Sequence, residues 1–169
     1  MKTLINLTLI LTMLSMMACA QKGNKEQANS IKQNNKTMSD SIIKSDEDWK
    51  KQLTPEQFDV TRKKGTERAF SNKYWDNHKQ GTYYCICCGK PLFSSKTKFD
   101  SGTGWPSFFA PLDSNNVKNN VDKTYGMERV EVVCNHCGAH LGHVFDDGPE
   151  PTHLRYCMNS ASMDFKEEK

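Results

Sequence analysis

The sequence predicts a mainly β domain that is preceded by short helices. Two helix-start signals lie between Ser45 and Gln57. From Gly81 onward the chain consists of short β-prone runs that are broken by clusters of Gly, Pro, Asp and Asn. Two Cys-x-x-Cys pairs lie among those runs. We therefore expect a helical lead-in followed by a mostly antiparallel β domain.

The first segment, residues 1–18, has the features of a secretory signal peptide. The run from Leu4 to Met17 is almost wholly apolar, but it is shorter than the roughly 20 residues that span a bilayer. The segment that ends at Cys19 resembles a bacterial lipobox, in which Cys19 becomes the lipidated first residue. The Ala-Cys-Ala sequence around it also fits an ordinary cleavage site. We favour an exported lipoprotein, anchored to a membrane and facing the periplasm, over a soluble periplasmic or secreted protein.

Residues 19–44 form the second segment, which we interpret as a disordered tether. It consists mostly of Lys, Asn, Gln and Ser after its first residues, and such a composition cannot bury enough apolar surface to fold. A chain of this length would hold a domain clear of the lipid headgroups, although an ordinary disordered terminus has the same composition. The folded domain is predicted to comprise residues 45–169.

The charge of the chain argues against a nucleic-acid partner. The formal net charge is only +3 over 169 residues, and the lysines are scattered instead of forming a stripe. We expect a monomer.

Two helices are predicted at the start of the domain. Ser45 lies three residues before Asp48, as an N-cap residue does. The sequence from Thr54 to Gln57 combines an N-cap, a proline at the first helical position and a capping-box glutamine. The second helix is expected to stop near Gly65.

Three β-prone runs follow. They are Thr82 to Cys85, Arg129 to Cys134 and His143 to Phe145. The stretch from Leu112 to Thr124 is rich in Asn, Asp and Lys, and is predicted to be a surface loop or a hairpin tip.

Four of the seven cysteines have the spacing of one tetrahedral zinc site. The predicted ligands are Cys85, Cys88, Cys134 and Cys137. In an exported protein the rival interpretation is two disulfides. A disulfide that closes so short a loop adds little stability, whereas a zinc ion bound by four cysteines contributes substantially to folding. Four thiolates leave no open coordination position, so the predicted metal is structural.

Cys157 is the cysteine of the C-terminal half that zinc does not explain. It lies between Arg155 and Asn159, and an isolated thiol beside a basic side chain has the character of a nucleophile. Two further clusters carry unusual residues. One is the turn before Trp105, in which Gly102 and Gly104 allow close backbone approach, and the other is the run from His140 to Pro149.

The order of these motifs resembles that of the B-type peptide-methionine (R)-S-oxide reductases. The shared motifs are Thr-Glu-Arg-Ala-Phe at 66–70, Cys-x-x-Cys at 85–88, Ser-Gly-Thr-Gly-Trp-Pro-Ser-Phe at 101–108, Cys-x-x-Cys at 134–137, His-Leu-Gly-His-Val-Phe at 140–145 and Arg-Tyr-Cys-Met-Asn-Ser-Ala-Ser at 155–162. The resemblance runs from about Leu53 to Phe165. It implies two antiparallel sheets, and it implies reduction of the R epimer of methionine sulfoxide in proteins and peptides.

The resemblance also implies roles for single residues. Cys157 would attack the sulfoxide sulfur and become a sulfenic acid. Trp105, with Phe145, would bind the substrate. His140, His143 and Asn159 would line the polar side of the pocket, and His143 is favoured as the acid by resemblance alone.

The chemistry requires a thiolate, and a free thiol is only a few per cent ionised at pH 7. We expect Arg155 or a protonated histidine to lower the pKa of Cys157. Because i and i+2 share a face in a strand and not in a helix, the local structure decides whether Arg155 reaches the sulfur.

Thr103 departs from the family pattern, since many members carry a cysteine there that forms a disulfide with the nucleophile. Either Cys87 or an external thiol must then regenerate Cys157, and we favour an external thioredoxin-like partner. Two other functions remain open: a zinc-ribbon interaction module, and a relative that binds sulfoxide without reducing it.

Overall fold

The computed structural model describes residues 41–169, except the side chain of Tyr125. The predicted signal peptide, Cys19 and most of the predicted tether lie outside the described residues. Of the tether, residues 41–44 are described, and the backbone N–H of Ile42 donates to the carbonyl of His136 at 2.9 Å. Within residues 41–169 no helix combines the length and the apolar character needed to cross a bilayer.

Two short helices open the described chain, as the capping residues predict. Helix α1 is Asp46–Gln52, and the Ser45 side chain accepts from the backbone N–H of Asp48. Helix α2 is Pro55–Lys63, with both hydrogen bonds of the Thr54–Gln57 capping box in place. Each cap satisfies donors that a helix N-terminus otherwise leaves unpaired. The chain leaves α2 through Lys64, whose φ of 60° is left-handed, just before the predicted stop.

Within residues 41–169, nine strands form two antiparallel sheets, and the predicted fold class is confirmed. In chain order the strands are β1 Gly81–Cys85, β2 Pro91–Ser94, β3 Lys98–Phe99, β4 Ser107–Phe108, β5 Val117–Asp122, β6 Arg129–Cys134, β7 His140–Phe145, β8 Arg155–Met158 and β9 Met163–Glu167. The small sheet has the order β2-β1-β9, and the large sheet has the order β3-β4-β8-β7-β6-β5.

Two predictions about these strands need correction. The stretch predicted as a loop or hairpin tip, Leu112 to Thr124, contains the whole of β5, which pairs with β6 over six residues. The polar side chains of Lys118, Asn119 and Asn120 suit an edge strand, because such a strand has one side without a neighbouring strand and meets water there. Strand β7 also begins at His140, three residues earlier than predicted.

The core lies between the two sheets and contains a group of aromatic rings. Phe93 of the small sheet stacks on Phe108 of the large sheet with 4.6 Å between the ring centroids. Tyr83 meets the same ring edge-on at 5.0 Å. All three are fully buried. Such rings contribute both buried apolar area and a preferred geometry, so they fix the distance between the sheets.

A β-bulge in β7 determines which side chains share a face. Val132 is paired with Gly142 and Val133 with His140, so one extra residue, Leu141, lies in β7. In a regular strand residues three apart point to opposite faces. Here the rings of His140 and His143 meet edge-on, with centroids 5.4 Å apart. The bulge therefore brings both histidines to the same side of the large sheet.

Candidate functional site

The large sheet aligns four polar residues in one row. Ser107 of β4 lies opposite Cys157 of β8, Cys157 lies opposite His143 of β7, and His143 lies opposite Glu131 of β6. Directly opposed residues of antiparallel strands project to the same face with Cβ atoms about 5 Å apart. The face that carries Cys157 is thus lined by groups that exchange protons and hydrogen bonds.

Cys157 lies at the end of a chain of hydroxyl groups. Its Sγ is 3.9 Å from Thr103 Oγ1. Thr103 shares a hydrogen bond of 2.8 Å with Ser101, which shares one of 2.7 Å with Ser107. Ser107 in turn donates to the carbonyl of Trp105 at 3.2 Å. The turn that carries Trp105 is therefore tied to the sulfur through side-chain hydroxyls.

Burial raises the pKa of the Cys157 thiol above its ordinary value, although Thr103, the Arg155 charge and Ser107 act in the opposite direction. Removal of solvent disfavours the thiolate, and the neighbours compensate only in part. The expected lowering of this pKa therefore does not describe the free protein, in which Cys157 is mainly a thiol at neutral pH.

Arg155 shares a strand and a face with Cys157, because β8 includes both residues. Its guanidinium makes a two-pronged ion pair with Asp147, with both N–O distances 2.8 Å, and lies 4.3 Å from the ring centroid of Phe145. The Asp147 carboxylate and the Phe145 ring thus hold the cation in a fixed place. Phe145 is half-buried and contacts Arg155 at the end of β7.

His143 is held by a carboxylate that sequence reasoning missed. Its Nε2 lies 2.8 Å from Asp122 Oδ2. The same oxygen accepts from Arg129 at 2.8 Å, and the other oxygen accepts from the backbone and the hydroxyl of Thr124 at 3.0 and 2.7 Å. The hydrogen bonds from Thr124, followed by the one from His143, depress the pKa of Asp122 far below its usual range. Asp122 is therefore negatively charged at neutral pH, and its contact with Nε2 orients the His143 ring.

His140 lies deeper than His143 and contacts a different carboxylate. Its Nδ1 is 2.8 Å from Glu131 Oε1, and Lys64 Nζ is 2.9 Å from the other oxygen of Glu131. Burial lowers the pKa of His140 despite the favourable effect of Glu131. Among the described residues, no group accepts from or donates to its buried Nε2.

Trp105 and Asn159 are both tied to Glu67. The indole Nε1 donates to the carbonyl of Glu67 at 3.1 Å. The side chain of Asn159 accepts from the N–H of Glu67 at 3.2 Å and donates to the carbonyl of Leu141 at 3.1 Å. The Asn159 side chain thus links the backbone at Glu67 to the backbone at Leu141 through hydrogen bonds.

The carboxylate of Glu67 is itself buried and accepts from the backbone N–H groups of Ser160 and Ala161, the latter at 2.8 Å. Burial raises its pKa despite these hydrogen bonds. Glu67 therefore fastens the segment after α2 to the residues that follow Cys157 in the chain.

The four predicted metal ligands form one cluster. The sulfur atoms of Cys85, Cys88, Cys134 and Cys137 all lie within 4.8 Å of one another. The Cys85–Cys137 and Cys88–Cys134 sulfur distances are 3.6 Å. A tetrahedral site with metal–sulfur bonds of about 2.3 Å places its sulfurs about 3.8 Å apart, whereas a disulfide requires about 2.05 Å. The cluster could therefore hold a metal ion, and it joins the ends of β1 and β6.

Cys87 belongs to the surroundings of that cluster. It is buried, and its thiol contacts Cys137, Cys85 and Thr61. The described polar neighbours of Cys157 are different residues, namely Thr103, Ser107 and Arg155.

The sequence predicted no individual role for four acidic or hydroxyl residues of the site, although two of them lie within the motifs at 66–70 and 101–108. They are Glu67, Ser107, Asp122 and Glu131. One signal was available for Glu131, since it is an acidic residue within the apolar β6 run. No sequence signal indicated Asp122, because its role depends on the pairing of β5 with β6, and the sequence of β5 predicts a loop.

We predict that Cys157 alkylates slowly at neutral pH, since its pKa is raised by burial. The rate constant of the reaction with iodoacetamide, followed on the peptide that carries Cys157, should increase with pH. The pH at which it reaches half of its maximum should be higher than the corresponding pH for glutathione. Arg155→Met should move the midpoint further upward because a favourable charge is lost. Arg68→Met, which replaces an exposed arginine, is the control. A midpoint below that of glutathione would contradict the prediction.

Comparison with known proteins identifies the family. The SelR domain family matches residues 53–167, which includes every site residue described above. The peptide methionine sulfoxide reductase MsrB of Herminiimonas arsenicoxydans is 57% identical over 128 residues, which cover 76% of this chain and 93% of the relative.

Two further relatives carry the same name. The MsrB of Hahella chejuensis is 56% identical over 126 residues, covering 75% of this chain and 91% of the relative. The MsrB of Leptospira interrogans is 57% identical over 127 residues, which cover 75% of this chain and 97% of the relative. The chain therefore belongs to the SelR-domain family that includes the peptide methionine sulfoxide reductases MsrB.

Proposed function

We propose that the protein reduces the R epimer of methionine sulfoxide in peptides and proteins, with Cys157 as the nucleophile. The observation that carries the proposal is the juxtaposition of Cys157 with His143 across β7 and β8, beside the turn that carries Trp105. A nucleophile, a proton donor and an aromatic wall are the groups that sulfoxide reduction needs. The names of the relatives support the same reaction.

The reaction is balanced in protons and electrons. The Cys157 sulfur forms a bond to oxygen, the sulfoxide sulfur loses that oxygen, and two electrons pass from cysteine to the methionine sulfur. A thiol and a sulfoxide thus give methionine and a sulfenic acid without net gain or loss of a proton. A raised pKa in the free protein is compatible with this scheme, because the proton that leaves Cys157 is matched by one that the departing oxygen acquires.

His143 is the proposed acid for the oxygen. Its ring is oriented by the charged Asp122 and lies directly opposite Cys157. His140 is less suited, because burial lowers its pKa and leaves it uncharged at neutral pH. We assign His140 to the wall of the pocket together with Asn159.

Trp105 and Phe145 are the proposed apolar surfaces for the substrate. The Trp105 ring is half-buried, and its hydrogen bond to Glu67 fixes its orientation, so one face is available as a rigid wall. Methyl and thioether groups contact such faces favourably. A chiral sulfoxide placed against that wall can direct its oxygen toward His143 in only one configuration, which is the basis for selecting one epimer.

Regeneration of Cys157 is proposed to require an external dithiol of the thioredoxin type. Thr103 lies beside the sulfur at 3.9 Å but has no thiol to offer. Cys87 is buried against the cysteine cluster. The external thiol would attack the sulfenic acid, release water and form a mixed disulfide, which its second thiol resolves.

Zinc is the proposed occupant of the cysteine cluster. Four cysteine sulfurs at these separations suit a closed tetrahedral zinc site, which is structural because no position remains for substrate.

The proposed setting is an exported, lipid-anchored monomer that repairs oxidised exported proteins. Support comes from the sequence alone, namely the apolar leader, Cys19 and the polar tether.

The central prediction concerns resolved epimers. With dithiothreitol as reductant, methionine-R-sulfoxide should be reduced and methionine-S-sulfoxide should not, as followed by chromatography of the methionine formed. Cys157→Ser should lower the rate at least about 10³-fold, because hydroxyl is a far weaker nucleophile. Cys87→Ser is the matched control and should retain activity. Absence of R-epimer turnover by the wild type would favour a binding role.

The fate of the oxidised cysteine gives a second prediction. After one turnover without reductant, Cys157 should carry a sulfenic acid that dimedone traps, as detected by mass spectrometry of its peptide. In Thr103→Cys the introduced thiol should instead form a disulfide with Cys157, since position 103 already contacts the sulfur. A disulfide between Cys157 and Cys87 in the wild type would overturn the external-thiol proposal.

Metal content gives a third prediction. The purified protein should contain about one zinc per chain by elemental analysis. Cys134→Ser should lose the metal and unfold at 37 °C, because metal binding by such sites contributes on the order of 10 kcal/mol to folding. Cys87→Ser should keep both metal and fold. Equal loss of zinc in the two variants would show that the ligand set is wrong.

A further inference from the structure

An exposed pair of aromatic rings lies outside the site described above. Phe70 is 56% exposed and Trp75 is 37% exposed. Their rings meet edge-on with centroids 5.5 Å apart. Exposure of two adjacent large apolar side chains forgoes the stabilisation that burial would give them, and such patches mark binding surfaces.

The backbone around the pair is fixed in an unusual conformation. Phe70 has a φ of 58°, which is in the left-handed region that bulky side chains rarely adopt. Its N–H donates to the carbonyl of Gly104 at 2.9 Å. Asn72 donates to the same carbonyl at 2.7 Å and accepts from the N–H of Trp75 at 3.1 Å. A strained residue that is held so firmly is characteristic of a functional segment.

The pair is continuous with the proposed substrate pocket. Gly104 immediately precedes Trp105, and a Cβ atom added at Gly104 would lie only 2.6 Å from the Phe70 ring. The Phe70 ring therefore packs directly over the turn that carries Trp105. Glu67, three residues before Phe70, accepts the hydrogen bond of the Trp105 indole.

We propose that Phe70 and Trp75 form a docking surface for apolar side chains that flank methionine sulfoxide in a polypeptide substrate. The inference rests on the proposed function and adds to it a preference for apolar residues near the sulfoxide in the polypeptide. An extended peptide advances about 3.3 Å per residue, and alternate side chains point the same way. A side chain two positions from the sulfoxide thus lies about 7 Å away along the peptide and points to the same side of it as the sulfoxide.

The test compares substrates of different length. The substrates are free methionine-R-sulfoxide, a blocked peptide with glycine at every position around the sulfoxide, and a blocked peptide with leucines two positions before and two positions after the sulfoxide, here called the leucine-flanked peptide. In Phe70→Ala and Trp75→Ala, the ratio of kcat/KM for the leucine-flanked peptide to that for free sulfoxide should fall about tenfold. The fall should appear in KM, because an apolar contact remote from the sulfur binds ground and transition states alike.

Val121→Ala is the matched control. Val121 is also exposed, at 66%. It is adjacent to Asp122 in β5, so its side chain projects from the face of the large sheet opposite to the face that carries Asp122 and His143. Its ratio should equal that of the wild type. An unchanged ratio in Phe70→Ala and Trp75→Ala would overturn the proposal, as would an equal loss for all three substrates, which would assign the rings to support of the Trp105 turn.

A binding measurement separates this inference from the proposed reaction. In a Cys157→Ser background, calorimetric titration with the leucine-flanked sulfoxide peptide requires no turnover. Adding Phe70→Ala should raise the dissociation constant about tenfold, and adding Val121→Ala should leave it unchanged. Equal affinities would contradict the docking surface even if the wild type reduces sulfoxides, whereas absence of wild-type turnover would contradict only the reaction.

Discussion

The antiparallel pairing of β7 with β8 is the constraint on which the site depends. It places Cys157 and His143 directly opposite each other, so the distance between the proposed nucleophile and the proposed acid is set by the backbone ladder. The two strands approach so closely at Gly142 that a Cβ there would lie 2.1 Å from the carbonyl oxygen of Cys157. Only glycine allows this approach. The ladder therefore depends on the absence of a side chain at position 142 as much as on its hydrogen bonds.

Around this rigid pair, the supporting groups come from parts of the chain that are far apart in sequence. Asp122 approaches His143 from the edge strand β5, Asp147 holds Arg155, and Glu67 secures both Trp105 and the backbone after Cys157. Each carboxylate is bound by at least two donors or by a two-pronged partner. Side chains supported in this way need little reorganisation when a ligand binds beside them.

The sequence was most informative where chemistry is local. Caps at Ser45 and Thr54 predicted both helices because their hydrogen bonds span only a few residues, and the two Cys-x-x-Cys pairs predicted a cluster whose sulfurs do come together. The edge strand β5 escaped prediction because its polar composition is that of a loop, and only pairing with β6 makes it a strand. The raised pKa of Cys157 was also missed, since burial depends on the whole fold while Arg155 is visible two residues away. The leader and Cys19 remain predictions.

The hydroxyl chain from Ser107 through Ser101 to Thr103 has a property that amide or carboxylate groups in the same positions would lack. Every hydroxyl can donate one hydrogen bond and accept two, so the whole chain can reverse its direction by rotation of light atoms alone. It can accept from a thiol at Cys157 and donate to an anionic sulfur. The hydroxyl groups around Cys157 can thus adapt to either a neutral or an anionic sulfur, and their own oxygen atoms need not move.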